Sequence, residues 1–440
     1  MMTEGSIVTP LIRFILPLIG SSIFQQLYNT VDFLYVGNLL NKTSAAAVGA
    51  SSTLITCCIG LFSGISVGTG VVSGQAVGAG HHEKADRVLH TSVTFGTAGG
   101  LILMILGLLF APGILRLLNT PENVMPEAVL YIRIYLLSIP MMIYYNMCAG
   151  ELRALGDSRT PFHILIICGF LNVAADAFLM IVIPLGVAGV AIATAVSQGM
   201  SAVLITRALT RDDLPVRLSA RKMEVDRALL GEILRIGLPS GIQTVIITFS
   251  NVMVQYHINA FGEVAVAAFA TYYKAENFIY LPIMAFGQAS TTFSAQNTGA
   301  GQFGRIRRGT VLTAGISMAV TALIAGLILC FPTTVFSWFM KDREVVASTV
   351  LLAMVSFPFY WIYPIMEVTG GALRGMGYSI SSMIIILSNL CALRVSLLAV
   401  FSRRFHSLRS LAAVYPITWA SAASCFVVLF IIVMRRKARE

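Results

Sequence analysis

The sequence predicts an all-α polytopic membrane protein with twelve transmembrane helices in two six-helix lobes, related by a pseudo-twofold axis along the membrane normal. Three observations predict this fold. Hydrophobic residues make up 57% of the 440-residue chain and charged residues only 11%, whereas a soluble domain carries roughly 25% charged residues. Apolar runs long enough to cross a bilayer recur along the chain. The second half of the sequence repeats the first.

Each predicted helix is an apolar run between polar residues, because about 20 apolar residues cross the hydrocarbon core of a bilayer. The mean hydropathy of +0.82 agrees with many such spans, and the remaining residues are too few for a large soluble domain. The runs are residues 10–38, 45–78, 88–118, 127–150, 161–183, 187–209, 232–260, 264–297, 309–338, 345–370, 378–402 and 408–434. Prolines inside them are expected kink sites. They are Pro17, Pro140, Pro239, Pro282, Pro358 and Pro364.

The second half of the chain repeats the first at a nearly constant offset, which is typical of duplicated transporter lobes. AGELRALGDS aligns with GGALRGMGYS, which places Arg153 and Arg374 221 residues apart. SGQAVGAG aligns with SAQNTGAG at the same offset, and RFILP aligns with RIGLP at 222. We therefore expect an N-lobe at residues 1–209, a cytoplasmic linker at 210–231 and a C-lobe at 232–440. Six helices is an even number, so the two lobes enter the membrane from the same side.

Lysine and arginine concentrate in alternate loops. The net charge is +10, an excess typical of membrane proteins, whose cytoplasmic loops collect Lys and Arg; it does not indicate a nucleic-acid partner. The loops after the even-numbered spans and the C-terminal tail hold most of these residues. Both termini are therefore predicted to be cytoplasmic, in a multi-pass protein of the inner (plasma) membrane. Arg403, Arg404 and Arg409 are exceptions to this pattern.

Polar residues inside the N-lobe spans are the first candidates for function. A charge at bilayer depth costs at least ~2.5–3.5 kcal/mol on insertion scales, so the acids Asp32 and Asp176 call for an explanation. Asn172 lies four residues before Asp176 on the same helix face, and Thr194 adds a hydroxyl on a face of small residues. The first span carries further polar residues at helical spacing on the face of Asp32. These are Gln25, Tyr28 and Asn29.

The two acids suggest ion coupling. Burial and a second carboxylate nearby both disfavour the charged form of a carboxyl group, so Asp32 and Asp176 could exchange a proton near neutral pH. They could alternatively hold Na⁺ together with oxygens of Asn172 and Thr194, or be structural, hydrogen-bonded acids. The C-lobe has apolar residues at the repeat-related positions, with Val254 in place of Asp32 for example. The titratable pair therefore belongs to one lobe.

Charges inside the C-lobe spans are interpreted mainly as structural, with a C-lobe polar site as the alternative. Glu367 could pair with Arg394 across helices, whereas Lys274 and Glu276 are two residues apart and on different helix faces. Nothing in the sequence has the spacing of a metal site, an ATP-binding P-loop or a catalytic triad, so any active transport must be driven by an ion gradient. GISVG, around Ser66, formally matches the GxSxG motif. It lies in a predicted helix with glycines four residues apart, typical of close helix packing.

These segments together resemble the multidrug and toxic compound extrusion (MATE) family over nearly the whole chain. The resemblance is carried by LPLIGSSIFQQLYNTVDFLYVGNL, AVGAGHHEKADRV, GELRALGDSRTP, LNVAADAFLMIVIPLGVAGVAIATAVSQ and GGALRGMGYS. The pattern is similar to the bacterial branch with DinF-like and MepA-like members. Members of the family are antiporters that expel cationic and amphipathic drugs in exchange for H⁺ or Na⁺.

The resemblance implies roles for particular residues. It assigns the coupling ion to Asp32, Asn172, Asp176 and Thr194, together with a fourth-span tyrosine. That tyrosine matches Tyr131. A bend at the first-span proline, Pro17 here, is expected to accompany protonation. Gln25 matches a residue that lines the drug cavity, which is expected also to contain Tyr28, Asn29, Met142, Tyr145 and Asn146.

The NorM-like branch of the same family instead uses C-lobe acids in the seventh and tenth spans. This chain has Ile247 and Tyr363 at those positions, and Glu367 lies one turn away. That departure favours coupling in the N-lobe.

The leading hypothesis is a monomeric, secondary active multidrug antiporter of the lipid membrane that exports cationic or amphipathic compounds in exchange for H⁺ or Na⁺, without a cofactor or catalysis. A proton suits two acids with few additional oxygen ligands somewhat better than Na⁺ does. The alternative is a flippase for a lipid or lipid-linked precursor, whose cavity would need a strongly cationic lining, whereas the N-lobe core is acidic. A non-transporting receptor or scaffold is a third interpretation.

Overall fold

Helices occupy every predicted span. The computed structural model describes residues 2–40, 42–117, 120–212, 214–405 and 407–439. The helices of the first half are α1 (Val8–Leu39), α2 (Lys42–Gly78), α3 (His82–Leu117), α4 (Met125–Leu136), α5 (Ile139–Ala154), α6 (Arg159–Ala177) with a π-helical continuation at Phe178–Val182, and α7 (Val187–Leu209).

The second half has a similar succession of helices, with the additional short helix α11 and a helix α15 that follows the π-helical stretch. They are α8 (Arg227–Asn259), α9 (Glu263–Gly299), α10 (Phe303–Cys330), the short α11 (Pro332–Ser337), α12 (Arg343–Ser356), α13 (Ile362–Gly375), α14 (Ser379–Ile386), a π-helical stretch at Leu387–Leu393, α15 (Arg394–Arg404) and α16 (Leu408–Lys437). In the described residues, eight single helices and two bent pairs are long and apolar enough to cross a membrane. The protein is therefore a polytopic helical membrane protein.

The fourth and tenth predicted spans are broken, and proline accounts for both breaks. α4 and α5 meet at 42°, and α12 and α13 meet at 53°. Pro140 lies in the first turn of α5, and Pro358 lies in the tight turn that follows α12. Proline lacks the N–H that an uninterrupted helix would use, so it favours a helix start at these points. Pro17, Pro239 and Pro282 lie inside the continuous helices α1, α8 and α9, whereas Pro364 lies in the first turn of α13, next to the break.

The chain packs as two compact units whose boundaries fall within helices. One unit comprises Leu16–Gly241, and the other comprises Met1–Ile15 and Ile242–Glu440. Each boundary is two residues from a proline, Pro17 in α1 and Pro239 in α8. The first turns of α1 therefore pack with the second half of the chain, and the linker with the first turns of α8 packs with the first half.

Glycines bring α2 and α8 into close contact. A methyl group on Gly64 would collide with the backbone of Gly241, and one on Gly237 would lie 2.7 Å from the Cα of Ile65. The packing interpretation of the glycine-rich second span is confirmed. Ser66 lies inside α2, and its hydroxyl donates to the backbone carbonyl of Asn146 at 2.5 Å. It thus has a helix-packing contact and not the strand-turn-helix setting of a nucleophilic serine.

The N-terminal segment is bound to the last turn of α9 and the first turn of α10. Arg305 donates to the backbone carbonyls of Gly5 at 2.8 Å and Glu4 at 2.9 Å, and reaches those of Met2 and Ser6 at 3.3 Å. The Met2 amide donates to the side chain of Gln296 at 2.8 Å. One guanidinium group thus satisfies carbonyls of a segment that has no regular structure of its own.

The linker and the start of α8 are bound to the start of α3, here mainly through ion pairs. Lys84 forms an ion pair of 2.8 Å with Glu232 in α8, and Lys222 forms one of 2.8 Å with Asp86. The backbone amide of Ser219 donates to the buried ring of His90 at 3.0 Å. These contacts fix the position of the linker before α8 begins.

Candidate functional site

The predicted N-lobe residues converge where α1, α4, α6 and α7 pack together. Asn172 is 3% exposed and Asp176 is fully buried, because a spacing of four residues puts both on the inner face of α6. Asp32 reaches the same place from α1 and is half-buried. Helical spacing predicted the pair on α6, and packing of the helices adds the acid from α1.

Asp32 and Asn172 are hydrogen-bonded across α1 and α6. With the amide nitrogen of Asn172 oriented toward the carboxylate, it donates to the two oxygens of Asp32 at 3.2 and 3.3 Å. The Asp176 carboxyl group lies close enough to Asp32 for a direct electrostatic interaction. Among the described residues, neither of its oxygens has a hydrogen-bond partner. The site therefore holds two acids and one amide donor in a buried setting.

Tyr131 joins these residues from α4. It is 7% exposed, lies within electrostatic range of both Asp32 and Asp176, and stacks at 5.9 Å on Tyr135. Sequence reasoning alone missed Tyr135, which also interacts with Asp32; its spacing of one helical turn from Tyr131 was the available signal. Apolar residues from four helices enclose the tyrosine pair. They include Val36, Ile55, Met180, Val187, Val190 and Ala191.

Thr194 is not joined to this group by a hydrogen bond in the described residues. Its hydroxyl donates to the Val190 carbonyl one turn earlier in α7, at 3.0 Å. On α1, Gln25 and Asn29 are exposed and Tyr28 is half-buried, and Tyr28 interacts with the side chain of Gln25. The polar face of α1 therefore runs from an exposed part to the buried acid.

The three candidates on α5 contact neighbouring helices or their own. Tyr145 donates to the Pro161 carbonyl at 3.1 Å, and the Asn146 amide donates to the Met142 carbonyl at 2.8 Å. Met142 is 7% exposed. Pro17 lies in the continuous α1, where its carbonyl accepts a bond of 2.8 Å from the Ser21 hydroxyl.

Glu151 is a buried acid that the sequence reading did not single out. It is fully buried on α5 and accepts a bond of 2.5 Å from the Ser73 hydroxyl of α2. Its repeat partner is Ala372, so the acid is present in only one of the two copies of the repeated segment AGELRALGDS/GGALRGMGYS. That difference between repeats was the signal that could have found it.

The second half of the chain holds a separate charged pair. Glu367 forms an ion pair of 2.6 Å with Arg374, seven residues further along α13. The suggested pairing of Glu367 with Arg394 is therefore replaced by a contact within one helix. Positions i and i+7 are two helical turns apart on the same face. Arg374 therefore reaches Glu367 within one helix, without a contact to a neighbouring helix.

The second half of the chain contains a polar cavity. The sequence suggested a polar site there only as an alternative to structural charges. The cavity has a volume of about 410 Å³, and its thirteen lining residues include Ile247, Glu276, Tyr363 and Arg394. Glu276 accepts a bond of 2.8 Å from the Tyr360 hydroxyl. Lys274, two residues from Glu276, is exposed.

Comparison with known proteins settles the family. The family model described as MatE matches the chain twice, at residues 17–178 and 239–400. Each match covers most of one repeat. The chain belongs to the MATE family. It is thus a member of a family of multidrug efflux transporters, and its place is in a membrane.

Two curated relatives and one solved structure extend this result. The chain is 29% identical over 373 residues to the probable multidrug resistance protein YoeA of Bacillus subtilis, covering 83% of this chain and 80% of YoeA. It is 27% identical over 409 residues to the probable multidrug resistance protein YpnP of the same organism, covering 91% and 89%. A solved structure of an outward-facing multidrug resistance MATE transporter matches with a TM-score of 0.94 and 22% identity, covering 100% of this chain and 98% of that one. The last likeness shows the MATE fold.

Proposed function

We propose that this MATE protein is a secondary active antiporter that exports cationic or amphipathic compounds in exchange for protons. The observation that carries the proposal is the buried carboxyl pair. Asp176 is fully buried beside Asp32, and the Asn172 amide reaches Asp32 at 3.2 Å. A buried acid without a neutralising partner is costly in a membrane protein, and a transported cation is one means of neutralising it.

The contacts at this site support a proton over Na⁺ as the coupling ion. Na⁺ would need several oxygen ligands. In the orientation in which its amide is hydrogen-bonded, Asn172 turns its nitrogen and not its oxygen toward Asp32, and the described hydrogen bond of the Thr194 hydroxyl is to Val190 and not to either acid. Two like charges at low dielectric repel each other, so one proton shared by the pair relieves the repulsion.

Alternating occupation of the site by a proton and of the cavity by a drug would couple the two fluxes. The deprotonated pair attracts a cationic drug toward the polar face of α1. Protonation removes that attraction and favours drug release on the outer side. Such coupling requires only that the drug and the proton differ in their affinity for the two conformations. We further propose that both termini lie in the cytoplasm, as the distribution of Lys and Arg predicts.

The decisive experiment is ethidium efflux from proteoliposomes under an imposed pH gradient, and separately under an imposed Na⁺ gradient. Wild-type protein is compared with Asp176→Asn, which keeps the shape of the side chain but cannot ionise. Asp212→Asn is the matched control, since the Asp212 side chain is 90% exposed in the linker. We expect efflux to follow the pH gradient and to be lost in Asp176→Asn only.

Each other outcome would change the proposal. Efflux that follows only the Na⁺ gradient would replace the proton by Na⁺. Normal efflux by Asp176→Asn would remove the carboxyl pair from the mechanism. Efflux under neither gradient would contradict drug antiport and favour the flippase alternative.

A further inference from the structure

Hydroxyl side chains of α2 pack against α5, and a buried acid of α5 lies at one end of their row. The Ser66 hydroxyl donates to the Asn146 carbonyl at 2.5 Å, and the Ser73 hydroxyl donates to the Glu151 carboxyl group at 2.5 Å. A Cβ added to Gly150 would lie 2.7 Å from the Ser66 hydroxyl oxygen. The two helices are therefore in close contact beside the acid.

Glu151 is a fully buried carboxyl group without a cationic partner. One of its oxygens accepts from Ser73, and the other, which is also buried, has no hydrogen-bond partner among the described residues. Asp86 of α3 and Cys148 of α5 are titratable groups that interact with it, and neither can supply a positive charge. An ionised carboxylate is costly in such a place, so we expect Glu151 to carry a proton in this conformation.

The basic groups around these residues have other partners. Lys222 of the linker forms an ion pair of 2.8 Å with Asp86. Arg153, two residues beyond Glu151 on α5, interacts electrostatically with Tyr145. A proton is thus the means of neutralising Glu151 that the described contacts leave.

The second repeat shows that this helix contact does not need the acid. Ser294 and Ala372 correspond to Ser73 and Glu151 at the offset of 221. Both are fully buried, and the Ser294 hydroxyl has no hydrogen-bond partner among the described residues. α9 and α13 nevertheless pack together there. A structural role as the partner of Ser73 therefore does not account for an acid at this position.

Glu151 and the carboxyl pair lie toward opposite ends of the first half. Glu151 is in the last turn of α5, which ends at Ala154, on the side that the distribution of Lys and Arg assigns to the cytoplasm. α6 begins after the following turn and has 19 residues, a length of about 28 Å. Asp176 is in its last turn. Glu151 is therefore close to cytoplasmic water and far from the carboxyl pair.

We propose that Glu151 is a second proton-binding site, which holds a proton while α2 and α5 are packed and releases it to the cytoplasm when their inner ends become hydrated. The O–H bond of the carboxyl group breaks in that step, and the hydrated carboxylate remains until a cytoplasmic proton returns. Because the proton leaves and returns on one side, the site adds no proton to the exchange. This inference rests on the proposed function, since it gives that transporter a dependence on the pH of the compartment from which it exports.

The direction of this dependence follows from proton linkage. The packed conformation binds one proton more than the hydrated conformation, so low cytoplasmic pH favours packing and rising pH favours hydration. Release of one proton changes the ratio of the two conformations by up to about tenfold per pH unit. A carboxyl group with a purely structural role would give no such slope.

Infrared difference spectroscopy of the protein in lipid nanodiscs tests the protonation state at neutral pH. Subtracting the spectrum of Glu151→Gln from that of wild type should leave the C=O stretch of a protonated carboxylic acid. The same subtraction between proteins that both carry Asp176→Asn should leave the same band. Glu83→Gln removes an exposed acid at the start of α3 and is the control, which should keep the band. Absence of the band from both subtractions would show that Glu151 is ionised and would overturn the proposal.

Hydrogen exchange of the inner ends of α2 and α5, corrected for the intrinsic rate, tests the conformational step. In wild type, protection of these amides should fall as the pH rises, by up to about tenfold per pH unit. Glu151→Gln cannot ionise and should stay protected over the same range. Glu151→Asp keeps a titratable group and should retain the dependence. Equal pH dependence in wild type and Glu151→Gln would also overturn the proposal.

Failure of antiport and failure of this inference give different results. Both measurements are made without a drug or a gradient, so a loss of ethidium efflux does not affect them. Thermal unfolding establishes whether each variant is folded. Should Glu151→Gln be unstable, Glu151→Ala introduces the residue found in the second repeat and should likewise lose the pH dependence. A dependence in Glu151→Ala equal to that of wild type would contradict the assignment.

Discussion

Lys84 and Arg305 lie 221 residues apart, the offset of the internal repeat, and each binds the chain at, or just before, the first helix of a repeat. Lys84 forms an ion pair with Glu232 at the start of α8. Arg305 binds carbonyl oxygens of residues 2–6, ahead of α1. A basic residue at the same repeat position therefore binds the chain near a first helix in both repeats. The contact is an ion pair in one repeat and a set of hydrogen bonds to backbone carbonyls in the other.

Replacing Arg305 should release the N-terminal segment. Arg305→Ala removes donors to four backbone carbonyls, and each such bond contributes about 0.5–1.5 kcal/mol. Hydrogen exchange of residues 2–6 should therefore become faster, with little change in the rest of the protein. Arg307→Ala is the control, because Arg307 is exposed two residues away. Unchanged exchange in Arg305→Ala would mean that other contacts hold the segment.

Ethidium binding should depend on pH through the carboxyl pair. Protonation removes negative charge, so the affinity of wild-type protein should fall as the pH is lowered. Asp176→Asn and Asp32→Asn should bind ethidium at least about tenfold more weakly at alkaline pH, equivalent to ~1.4 kcal/mol, and with a flatter pH dependence. Anisotropy titrations across the pH range provide the measurement. An unaltered pH profile in both variants would show that another group titrates.

The close approach of α2 and α8 should not tolerate a side chain. Gly237→Ala would place a methyl group 2.7 Å from the Cα of Ile65 and 3.0 Å from the carbonyl of Gly64. Overpacking of this kind costs about 1–3 kcal/mol. In the same helix, a methyl group on Gly231 meets nothing within 4 Å, and Gly231→Ala should stabilise by about 0.5–1 kcal/mol. Thermal unfolding of the two variants compares them directly, and equal melting temperatures would contradict the packing.

Removing only one residue of the ion pair between Glu367 and Arg374 should strongly destabilise the protein. Their side chains are 11% and 13% exposed, and an uncompensated buried charge costs about 3–5 kcal/mol. Arg374→Met alone should therefore destabilise the protein strongly, and adding Glu367→Gln should recover much of the loss. The reference is Lys84→Ala, whose pair is 35% and 50% exposed and should be worth at most about 1 kcal/mol. A double variant as unstable as Arg374→Met would show that the pair is not the cause.

Local sequence patterns were sufficient to predict much of the fold. Apolar runs and prolines located the helices and two of the breaks, and the offset of 221 identified the repeat. The ends of the packing units differ from the expected lobe boundaries, because α1 and α8 each change unit next to a proline. No local pattern records which partner a helix end packs against.

The residues of the candidate site were likewise only partly predictable from the sequence. The spacing of Asn172 and Asp176 placed them on one helix face, and the cost of a buried acid marked Asp32. Tyr131 was found only through resemblance to a family, and Tyr135 and Glu151 were not found. Each acquires its place through helices distant in sequence, as Ser73 does in its bond to Glu151.

By itself, the sequence determined that this protein is a membrane-spanning helical repeat, because hydropathy and periodicity depend on neighbours along one helix. Only the tertiary structure decided which polar side chains meet. Asp32 and Asn172 are brought within 3.2 Å by packing of α1 on α6, and Glu276 and Arg394 line one cavity although they lie on different helices. A buried polar or charged group is energetically costly without a hydrogen-bonding or charged partner, and the packing of the helices determines which partner is within reach.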